Sequence, residues 1–436
     1  MDFSPLHEAS SHSLLLANGR IIDPLNGIDQ IGDVLIENGS IVEVGPGIKV
    51  DQSQVTRLDL QGKWVVPGLI DMHVHLREPG DEYKETVVSG TKAAAAGGFT
   101  AVAAMPNTKP VNDNQSVTAL IYSKAAQGYA RVYPVGAISQ GSSGENLAEF
   151  GEMQAAGVVA VSDDGLPVRD GQLMRRALEY AGNYNLLVIS HSEEMSLSRH
   201  GVMNEGSLST RMGLIGIPRA AEEIMVYRDI ALARYTGRPV HIAHVSTRES
   251  VSLIRRAKKQ GGLVTAETAP HYFTLTEEAI GSYDARAKMN PPLRTADDIV
   301  AIKEGLRDGT LDAIATDHAP HSELEKDVEF DLAANGIIGL ETAVPLALAL
   351  VRDELLTPTR LVELFSVNPA RILGVVGGSL AQGQVADVTV IDPERNFTYD
   401  LGQVVSKSRN SPFIGWELTG KAVLTMVGGR VTYSDI

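Results

Sequence analysis

Short apolar runs recur through the middle of the chain, and stretches with helical patterning separate them. The runs occupy residues 68–76, 99–106, 131–138, 158–164, 185–193, 239–246, 262–270 and 311–320. Short runs of this kind predict buried strands, and the stretches between them, many of which end in glycine, predict helices. Strand–helix alternation indicates a parallel sheet in an α/β protein, and eight repeats predict a closed (β/α)8 barrel of the TIM type. An open doubly wound sheet is the alternative, but HLREPG rather than a glycine-rich phosphate turn follows the first run.

The two ends of the chain show a different pattern. Residues 13–65 and 379–436 contain short alternating stretches of apolar and polar residues, separated by turn sequences such as NG and GG. This alternation predicts strands with one buried face. Two such segments flanking a barrel predict one small, discontinuous β-sandwich domain, formed by residues 1–65 and 376–436 around a barrel of residues 66–375.

Residues with metal-binding side chains stand at the ends of several runs. They are His73 and His75 in the first run, Asp163 and Asp164 in the fourth, His191 in the fifth, His241 and His244 in the sixth, and Asp317, His318 and His321 in the eighth. Of the 11 histidines, four lie elsewhere, namely His7, His12, His200 and His271. One histidine at a strand end would be interpreted as a structural residue. Because (β/α)8 enzymes carry their chemistry at the C-terminal ends of the strands, so many together predict a metal site.

Side-chain alternation along a strand sorts some of these candidates. Residues i, i+2 and i+4 of a strand share a face, so His73, His75 and Arg77 are predicted to point the same way. His241 and His244 face opposite sides of their strand. His244 is nearer the C-terminal end and is predicted to be the ligand, with His241 as a packing residue. Alternation does not distinguish between the two adjacent aspartates of the fourth run.

Composition narrows the choice of metal and partner. The chain has no cysteine, so a divalent ion such as Zn²⁺ would be bound by imidazole and carboxylate. Lys and Arg number 38 against 54 Asp and Glu, a formal net charge of −16, which disfavours nucleic acid and anionic membranes as partners. No signal peptide and no apolar stretch of the roughly 20 residues of a membrane span is visible. The sequence therefore predicts a cytoplasmic protein.

Several long motifs occur in an order typical of one enzyme family. They are GLIDMHVHLREPG, MPNTKPV, VSDDG, HVSTRESV, KMNPPLR, ATDHAPH and GIIGLETA. With these motifs the chain resembles class I bacterial dihydroorotases of the amidohydrolase superfamily, from about residue 60 to residue 345. The resemblance implies a zinc-dependent cyclic amidohydrolase that interconverts L-dihydroorotate and N-carbamoyl-L-aspartate in de novo pyrimidine (UMP) biosynthesis.

The resemblance also implies roles for individual residues. It implies two zinc ions per subunit, with His73, His75 and Asp317 as ligands of the first, His191 and His244 as ligands of the second, and Asp164 as the bridge. Asp317 is the implied catalytic acid and base. The implied substrate-binding residues are His75, Arg77, Asn107, Asn290, His321, Asn335 and Gly336. Ser192 and Asn335 depart from the family pattern, in which cysteine and phenylalanine are frequent at these positions.

Two other functions compete with this interpretation. Hydantoinases and allantoinases, as families, bridge their metals with a carboxylated lysine from the fourth strand, but no lysine lies between Lys124 and Lys258 here. Some dihydroorotase-like chains are inactive scaffolds for aspartate transcarbamoylase that have lost ligand histidines, whereas every ligand position is filled in this chain. We expect a small-molecule substrate and a homo-oligomer, and an association with aspartate transcarbamoylase is a further hypothesis.

Overall fold

A computed structural model of the protein describes residues 1–6, 13–51, 53 and 55–436, so His7 and His12 lie outside the described residues. The strands, in chain order, are β1 (Asp2–Phe3), β2 (Ser13–Asp23), β3 (Ile28–Glu37), β4 (Ser40–Gly45), β5 (Val55–Asp59), β6 (Trp64–Pro67), β7 (Leu69–Val74), β8 (Phe99–Ala104), β9 (Arg131–Gly136), β10 (Ala160–Val161), β11 (Leu187–Ser190), β12 (Met203–Asn204), β13 (Gly216–Ile217), β14 (Val240–Ile242), β15 (Val264–Thr268), β16 (Ala313–Ile314), β17 (Val388–Thr398), β18 (Glu417–Val427) and β19 (Arg430–Ser434).

The helices, in chain order, are α1 (Val87–Ala96), α2 (Gln115–Ala125), α3 (Phe150–Ala155), α4 (Gly171–Ala181), α5 (Met195–Ser198), α6 (Ser207–Met212), α7 (Ala220–Thr236), α8 (Arg248–Lys259), α9 (Pro270–Thr274), α10 (Ala296–Asp308), α11 (Glu323–Lys326), α12 (Ala343–Arg352), α13 (Pro358–Val362) and α14 (Asn368–Leu373). Short 3-10 turns cover Pro24–Asn26, Gln140–Ser142, Glu277–Ile280 and Ala285–Ala287, and a π-helical turn covers Glu363–Val367. None of the helices in the described residues has the length and apolar character needed to cross a bilayer.

The eight apolar runs form the eight strands of a parallel barrel. The strands pair in the order β7, β8, β9, β10, β11, β14, β15 and β16. The first and last strands meet through a parallel bridge between Val74 and His318, and the His75 N–H donates to the His318 carbonyl over 2.8 Å. The predicted (β/α)8 architecture is confirmed. Because all eight strands run the same way, their C-terminal ends meet at one rim.

Alternation along the barrel strands separates an outer apolar layer from the barrel interior. In β8, Val102 packs in the large apolar cluster that includes the surrounding helices, whereas Ala101 and Ala103 pack in a smaller cluster built from strand residues. In β15, Val264 and Ala266 belong to the outer layer. Alternation therefore directs Thr265 and Glu267, which are polar, into the interior beneath the rim.

The helices begin and end where side-chain chemistry predicts. The Thr247 hydroxyl accepts a hydrogen bond from the Ser250 N–H and caps α8, which follows β14. Gly237 ends α7 with a left-handed φ of 65°, and Gly309 ends α10 in the same way with a φ of 82°. Short caps of this kind return the chain to the next strand and keep the strand ends aligned at the rim.

The two terminal segments join in one nine-stranded sheet. Its strands lie in the order β1, β19, β18, β17, β6, β2, β3 and β4, with β5 paired to β2. The N-terminal and C-terminal parts meet where β6 pairs antiparallel with β17, opposite Val388 and Thr389. Leu16, Val65 and Val388 pack in an apolar core separate from that of the barrel. A discontinuous β domain is confirmed, while the exact domain boundaries at 65 and 376 stay predictions.

A long connection from the β domain reaches the barrel rim. It comprises residues 399–416 between β17 and β18 and is called the β17–β18 connection below. The partly buried Glu341 carboxylate accepts hydrogen bonds from the backbone N–H groups of Val405 (3.0 Å) and Ser406 (3.1 Å). The Ser406 hydroxyl donates to the buried Glu85 carboxylate. These contacts fix the connection against the C-terminal ends of the barrel strands.

Candidate active site

Two pairs of histidines face the two oxygens of one carboxylate at the barrel rim. Asp164 Oδ2 lies 3.2 Å from His73 Nε2 and 3.5 Å from His75 Nε2. Asp164 Oδ1 lies 3.5 Å from His191 Nδ1 and 3.4 Å from His244 Nε2. The carboxylate therefore stands between two nitrogen pairs, one from the first barrel strand and one from the ends of the fifth and sixth. This is the arrangement that a bridge between two cations requires.

A second carboxylate lies beside His73 and His75, the two histidines of the first strand. Asp317 Oδ1 lies 3.1 Å from His75 Nε2 and 3.7 Å from His73 Nε2. Asp317 and His244 both have left-handed backbones, with φ of 49° and 36°. Such conformations cost a non-glycine residue of order 1–3 kcal/mol and are concentrated at functional sites. Backbone strain here accompanies the placement of two candidate ligands.

The chemistry of this donor set fits divalent cations. His73 Nε2 and Asp164 Oδ1 are buried and make no hydrogen bond within the described part of the chain. His191 Nδ1 and His244 Nε2 lie at a hydrogen-bond distance of 2.8 Å from one another. Potential ligand atoms of His73, Asp164 and His244, and likewise those of His73, His75 and Asp317, lie within 4.8 Å of one another. Buried polar atoms without partners are rare, and ion binding would satisfy them.

A buried carboxylate beneath the site orients the first histidine. Glu267 Oε1 lies 2.8 Å from His73 Nδ1, and Glu267 Oε2 lies 3.3 Å from His241 Nε2. His241 Nδ1 in turn contacts the Thr265 hydroxyl over 2.8 Å. A partner at Nδ1 leaves Nε2 of His73 as the ligand atom, as in many metal sites. His241 is thus buried and contacts Glu267 and Thr265, so it is not a candidate ligand. Glu267 was not predicted from the sequence.

The histidine of the fifth strand has a similar partner. Glu193 Oε2 lies 3.1 Å from His191 Nε2 and accepts a hydrogen bond from Asn290 Nδ2 over 3.1 Å. Burial opposes ionisation of Glu193, but His191 lowers the pKa of Glu193 to about 2. Glu193 therefore carries a negative charge that orients His191 and places the Asn290 amide at the rim. Its position two residues after His191 is a signal that could have identified it.

Opposite charges dominate the electrostatics of the cluster. Burial disfavours the charged form of His73, but Asp164 and then Glu267 raise the pKa of His73 well above its ordinary value. Burial likewise opposes ionisation of Asp164, whose pKa is nevertheless held well below its ordinary value by His73, His191 and His244. The pKa of Asp317 is also lowered, since His75 and His73 outweigh the effect of burial. Both carboxylates are ionised at neutral pH and available to cations.

The adjacent aspartates of the fourth run have different roles. Asp164 faces the histidines, as described above. Asp163 faces away from them, and its Oδ1 accepts from the Ser139 N–H over 2.9 Å while its Oδ2 accepts from the Ser139 hydroxyl over 2.5 Å. Asp163 thus connects the ends of β9 and β10 and leaves Asp164 as the candidate ligand.

Arg77 reaches the site from a loop rather than from a strand. β7 ends at Val74, and Arg77 has a left-handed φ of 63°, so the strand-face argument does not explain its position. Its Nε donates to the Pro320 carbonyl over 3.1 Å, and its Nη2 lies 3.3 Å from His321 Nε2. Nη1 forms no hydrogen bond with any residue the structure describes. Arg77 therefore lies beside His321 with one end of its guanidinium group available to a ligand.

The remaining predicted substrate residues lie around the same rim. Asn107 Oδ1 contacts His75 Nδ1 over 2.8 Å, so this amide also orients a candidate ligand. His321 Nε2 contacts the Asn335 carbonyl over 2.8 Å. The Gly336 N–H donates to the Lys288 carbonyl over 3.0 Å. The Asn335 carbonyl and the Gly336 N–H are therefore engaged within the protein, and the Asn335 side chain is exposed.

One histidine that sequence reasoning placed away from the strand ends lies close to the site. His271 follows β15 in α9 and is 2% exposed. Burial lowers the pKa of His271 to about 4, and the charges that modulate this pKa are those of Asp317 and His244. The apolar run 262–270 was predicted to end one residue before His271, which is why its position at the rim was overlooked.

The fold and the histidine–carboxylate cluster together define a metal-dependent barrel hydrolase of the amidohydrolase type. Among solved structures, the chain is similar to L-hydantoinase from Arthrobacter aurescens, with a TM-score of 0.86 and 24% identity over 97% of this chain and 96% of that chain. It is also similar to dihydropyrimidinase from Brevibacillus agri, with a TM-score of 0.84 and 22% identity over 97% and 95% of the two chains. At these identities the likeness shows the fold.

Sequence comparison gives the family. A family model described as Dihydro-orotase-like matches residues 62–250. A dihydroorotase from Geobacter metallireducens is 59% identical over 97% of this chain and 99% of its own length. A dihydroorotase from Desulfotalea psychrophila is 60% identical over 96% and 99% of the two chains. The chain belongs to the dihydroorotase family, which confirms the family predicted from its motifs.

Proposed function

We propose that this chain catalyses the reversible hydrolysis of L-dihydroorotate to N-carbamoyl-L-aspartate in de novo pyrimidine biosynthesis, using two zinc ions bridged by Asp164. Relatives named dihydroorotase, 55–60% identical over nearly the whole chain, support the reaction. One observation carries the dinuclear part of the proposal. Each oxygen of Asp164 faces its own pair of histidine nitrogens, at 3.2–3.5 Å.

The proposed ligands divide between the two ions. His73, His75 and Asp317 would bind the first ion, His191 and His244 the second, and Asp164 both. Two Zn²⁺ ions bring four positive charges, which the carboxylates of Asp164, Asp317, Glu267 and Glu193 balance. The preference for an anionic substrate therefore depends on Arg77. When bound, ions of this kind polarise an amide carbonyl and lower the pKa of water.

Asp317 is the proposed general base and general acid. Its side chain is 12% exposed, against 4% for that of Asp164, so Asp317 is the carboxylate that a substrate can reach. In hydrolysis Asp317 accepts a proton from the attacking water and donates it to the ring nitrogen as the C–N bond breaks. In ring closure it removes a proton from the ureido nitrogen and donates it to the departing hydroxyl.

The residues around the rim would bind the substrate. Arg77 has a planar, permanently charged group whose Nη1 atom makes no hydrogen bond with the described residues, and this group suits the substrate carboxylate. Asn107, Asn290 and His321 provide further polar groups around the rim. His75 would contact the substrate in addition to zinc, and the Asn335–Gly336 segment would form one wall for the ring.

Asp164→Asn and its neighbour Asp163→Asn form a matched test of the bridge. We expect the wild-type protein to bind two zinc ions per chain and to act on both dihydroorotate and carbamoyl aspartate. D164N should lose at least one zinc and its turnover, since an amide is a poor bridging ligand. D163N removes the same charge one residue away and should retain both ions. Zinc content by elemental analysis and rates in both directions provide the measurements.

Several outcomes would contradict the proposal. D164N with two zinc ions and wild-type turnover would exclude the bridge. A fully zinc-loaded wild-type protein that hydrolyses hydantoin or allantoin but not dihydroorotate would assign it to the competing amidohydrolase class. A protein that binds no zinc and has no activity would support the scaffold hypothesis.

Three further features belong to this proposal. A homo-oligomer is expected, and native mass measurement tests it. Association with aspartate transcarbamoylase is tested by co-elution of the two purified proteins on gel filtration. Cytoplasmic location is tested by fractionation of the source cells.

A further inference from the structure

Asn410 of the β17–β18 connection lies against the rim of the site, although it is far from the barrel in sequence. It is 4% exposed. Its Oδ1 accepts from the His321 N–H over 3.1 Å, and its Nδ2 donates to the carbonyls of Ala319 and Gly336, each over 3.0 Å. Its own carbonyl accepts from the Ile338 N–H over 3.0 Å. One side chain thereby contacts two separate segments that carry proposed substrate residues.

We propose that Asn410 is a positioning residue for substrate binding, because its amide sets the spacing between the His321 and Gly336 segments. The proposal rests on the proposed function, in which these two residues contact substrate. A planar amide offers two N–H donors and an acceptor oxygen in fixed directions. Here both donors and the oxygen are used, so the relative placement of the two segments follows from the geometry of one side chain.

The two segments are in close contact, so their spacing matters. Gly336 has a φ of 126°, and a Cβ atom placed there would lie 2.6 Å from the Ala319 Cβ. The Lys326 ammonium donates to the Gly336 carbonyl over 3.1 Å and to the Ala334 carbonyl over 2.8 Å. Lys326 therefore positions the glycine segment from a second direction. Loss of the Asn410 contacts should shift this segment relative to Ala319 without releasing it.

The β17–β18 connection has its own attachments, which allow Asn410 to be changed separately. Glu341 binds the backbone of Ser406, and the Ser408 hydroxyl donates to the Lys84 carbonyl over 2.7 Å. The Arg409 guanidinium donates to the carbonyls of Leu401 (2.8 Å) and Val404 (2.7 Å) within the connection. Since these contacts do not involve Asn410, the connection should keep its place when Asn410 is replaced.

Asn410→Asp, with Arg409→Gln as the control, tests the proposal. Aspartate is isosteric and can still accept from the His321 N–H, but it has no donors for the carbonyls of Ala319 and Gly336. Two lost hydrogen bonds, neither of which is made to the substrate itself, predict a KM for L-dihydroorotate raised by up to about thirtyfold. We expect kcat to stay within roughly threefold of wild type, since the binding that is lost is common to ground and transition states. R409Q loosens the same connection and should leave KM unchanged.

Zinc content and melting temperature, measured on both variants, separate positioning from general stability. A raised KM in zinc-loaded, folded N410D, with an unchanged KM in R409Q, supports the proposal. An unchanged KM in N410D, or an equal rise in R409Q, overturns it. If N410D does not fold, N410A, which lacks the repelling carboxylate, is measured instead. If neither N410D nor N410A folds while R409Q does, Asn410 has a structural role and the proposal is overturned. Wild-type protein inactive towards dihydroorotate would instead refute the proposed function.

Discussion

Glu267→Gln is the substitution that tests most directly whether the first strand binds an ion. Glutamine keeps the volume of the side chain but removes the negative charge that His73 Nδ1 contacts at 2.8 Å. Glu267 is 1% exposed, so solvent does not screen this contact. Burial opposes its ionisation, but hydrogen bonds from His241 and His73 lower the pKa of Glu267 to about 2. The carboxylate is therefore charged at every pH at which the enzyme would be assayed.

The expected effect follows from this one contact. A hydrogen bond to a charged group contributes roughly 1.5–3 kcal/mol, which is about tenfold to 150-fold in an equilibrium constant. Outer partners of metal-bound histidines, when replaced, typically cost about 10–100-fold in metal affinity or activity. We therefore expect E267Q to bind zinc roughly 10–100-fold more weakly than wild type. At saturating zinc, its activity should recover in part.

Competition with a chelator of known zinc affinity measures the effect, and the activity of each variant is then recorded against free zinc. Thr265→Val is the matched control, because it removes the hydroxyl that contacts His241 Nδ1 over 2.8 Å at the far end of the same hydrogen-bonded series. T265V should bind zinc within about threefold of wild type. Wild-type zinc affinity in E267Q would refute the idea that Glu267 orients His73 for an ion. Equal weakening in T265V would indicate a general disturbance of the barrel interior.

Three other predictions concern the substrate, the ions and the fold. Arg77→Met should keep both zinc ions and lose roughly tenfold to 100-fold in kcat/KM for dihydroorotate, since a charged hydrogen bond is lost; wild-type rates would exclude Arg77 from substrate binding. Burial disfavours protonation of His191, but Asp164 and Glu193 raise the pKa of His191 to about 10. Because zinc must displace this proton at neutral pH, the zinc affinity should rise about tenfold per pH unit between pH 7 and 9. Chelator competition across this pH range measures the affinity, and an affinity that does not change with pH would contradict the prediction. Burial raises the pKa of Glu341 to about 7, so the folded state retains a proton that the unfolded chain releases near pH 4.5, and stability from this group falls as pH rises through 7. Glu341→Gln should remove this decrease in the free energy of unfolding, which amounts to up to about 3 kcal/mol between pH 4.5 and 7.5. Urea unfolding of the wild type and of E341Q measures it, and the same pH dependence in both proteins would refute the prediction.

The barrel could be predicted because its signal is local. Each strand is a short apolar run bounded by polar or glycine residues, and the parallel arrangement follows from the helices between the runs. The placement of His191 and Asp164 at one rim then follows from the parallel direction of the strands. The choice of His244 over His241 came from its position nearer the C-terminal end of the strand, and His244 Nε2 lies 3.4 Å from Asp164 Oδ1.

Other parts of the site depend on contacts that period and spacing do not encode. The choice between Asp163 and Asp164 is made by Ser139, which binds Asp163. Arg77 reaches His321 because the backbone adopts a left-handed conformation after β7 ends. The prediction that Arg77 shares a strand face with His73 and His75 therefore rested on strand alternation, which does not apply to this loop. Asn410 comes from the β domain and could not be assigned to a barrel rim by any local pattern.

Glu267 is an intermediate case, because the sequence contained a signal that was not used. A glutamate in the apolar run 262–270, in phase with Thr265, has to lie in the barrel interior. A buried carboxylate requires a charged or hydrogen-bonding partner. The histidines of neighbouring strands were the available partners, so the contact with His73 could have been proposed from the sequence.

The pairing of β6 with β17 makes completion of this protein a late event during translation. Residues of β6 lie opposite residues more than half the chain away, with the whole barrel between them. A nascent chain therefore exposes an unpaired edge of β6, which is open to association with other chains, until β17 has left the ribosome. Asn410 follows later still. Ribosome-bound intermediates should thus carry a formed barrel with an unfinished substrate rim, and the β6 edge should be covered before that rim is complete.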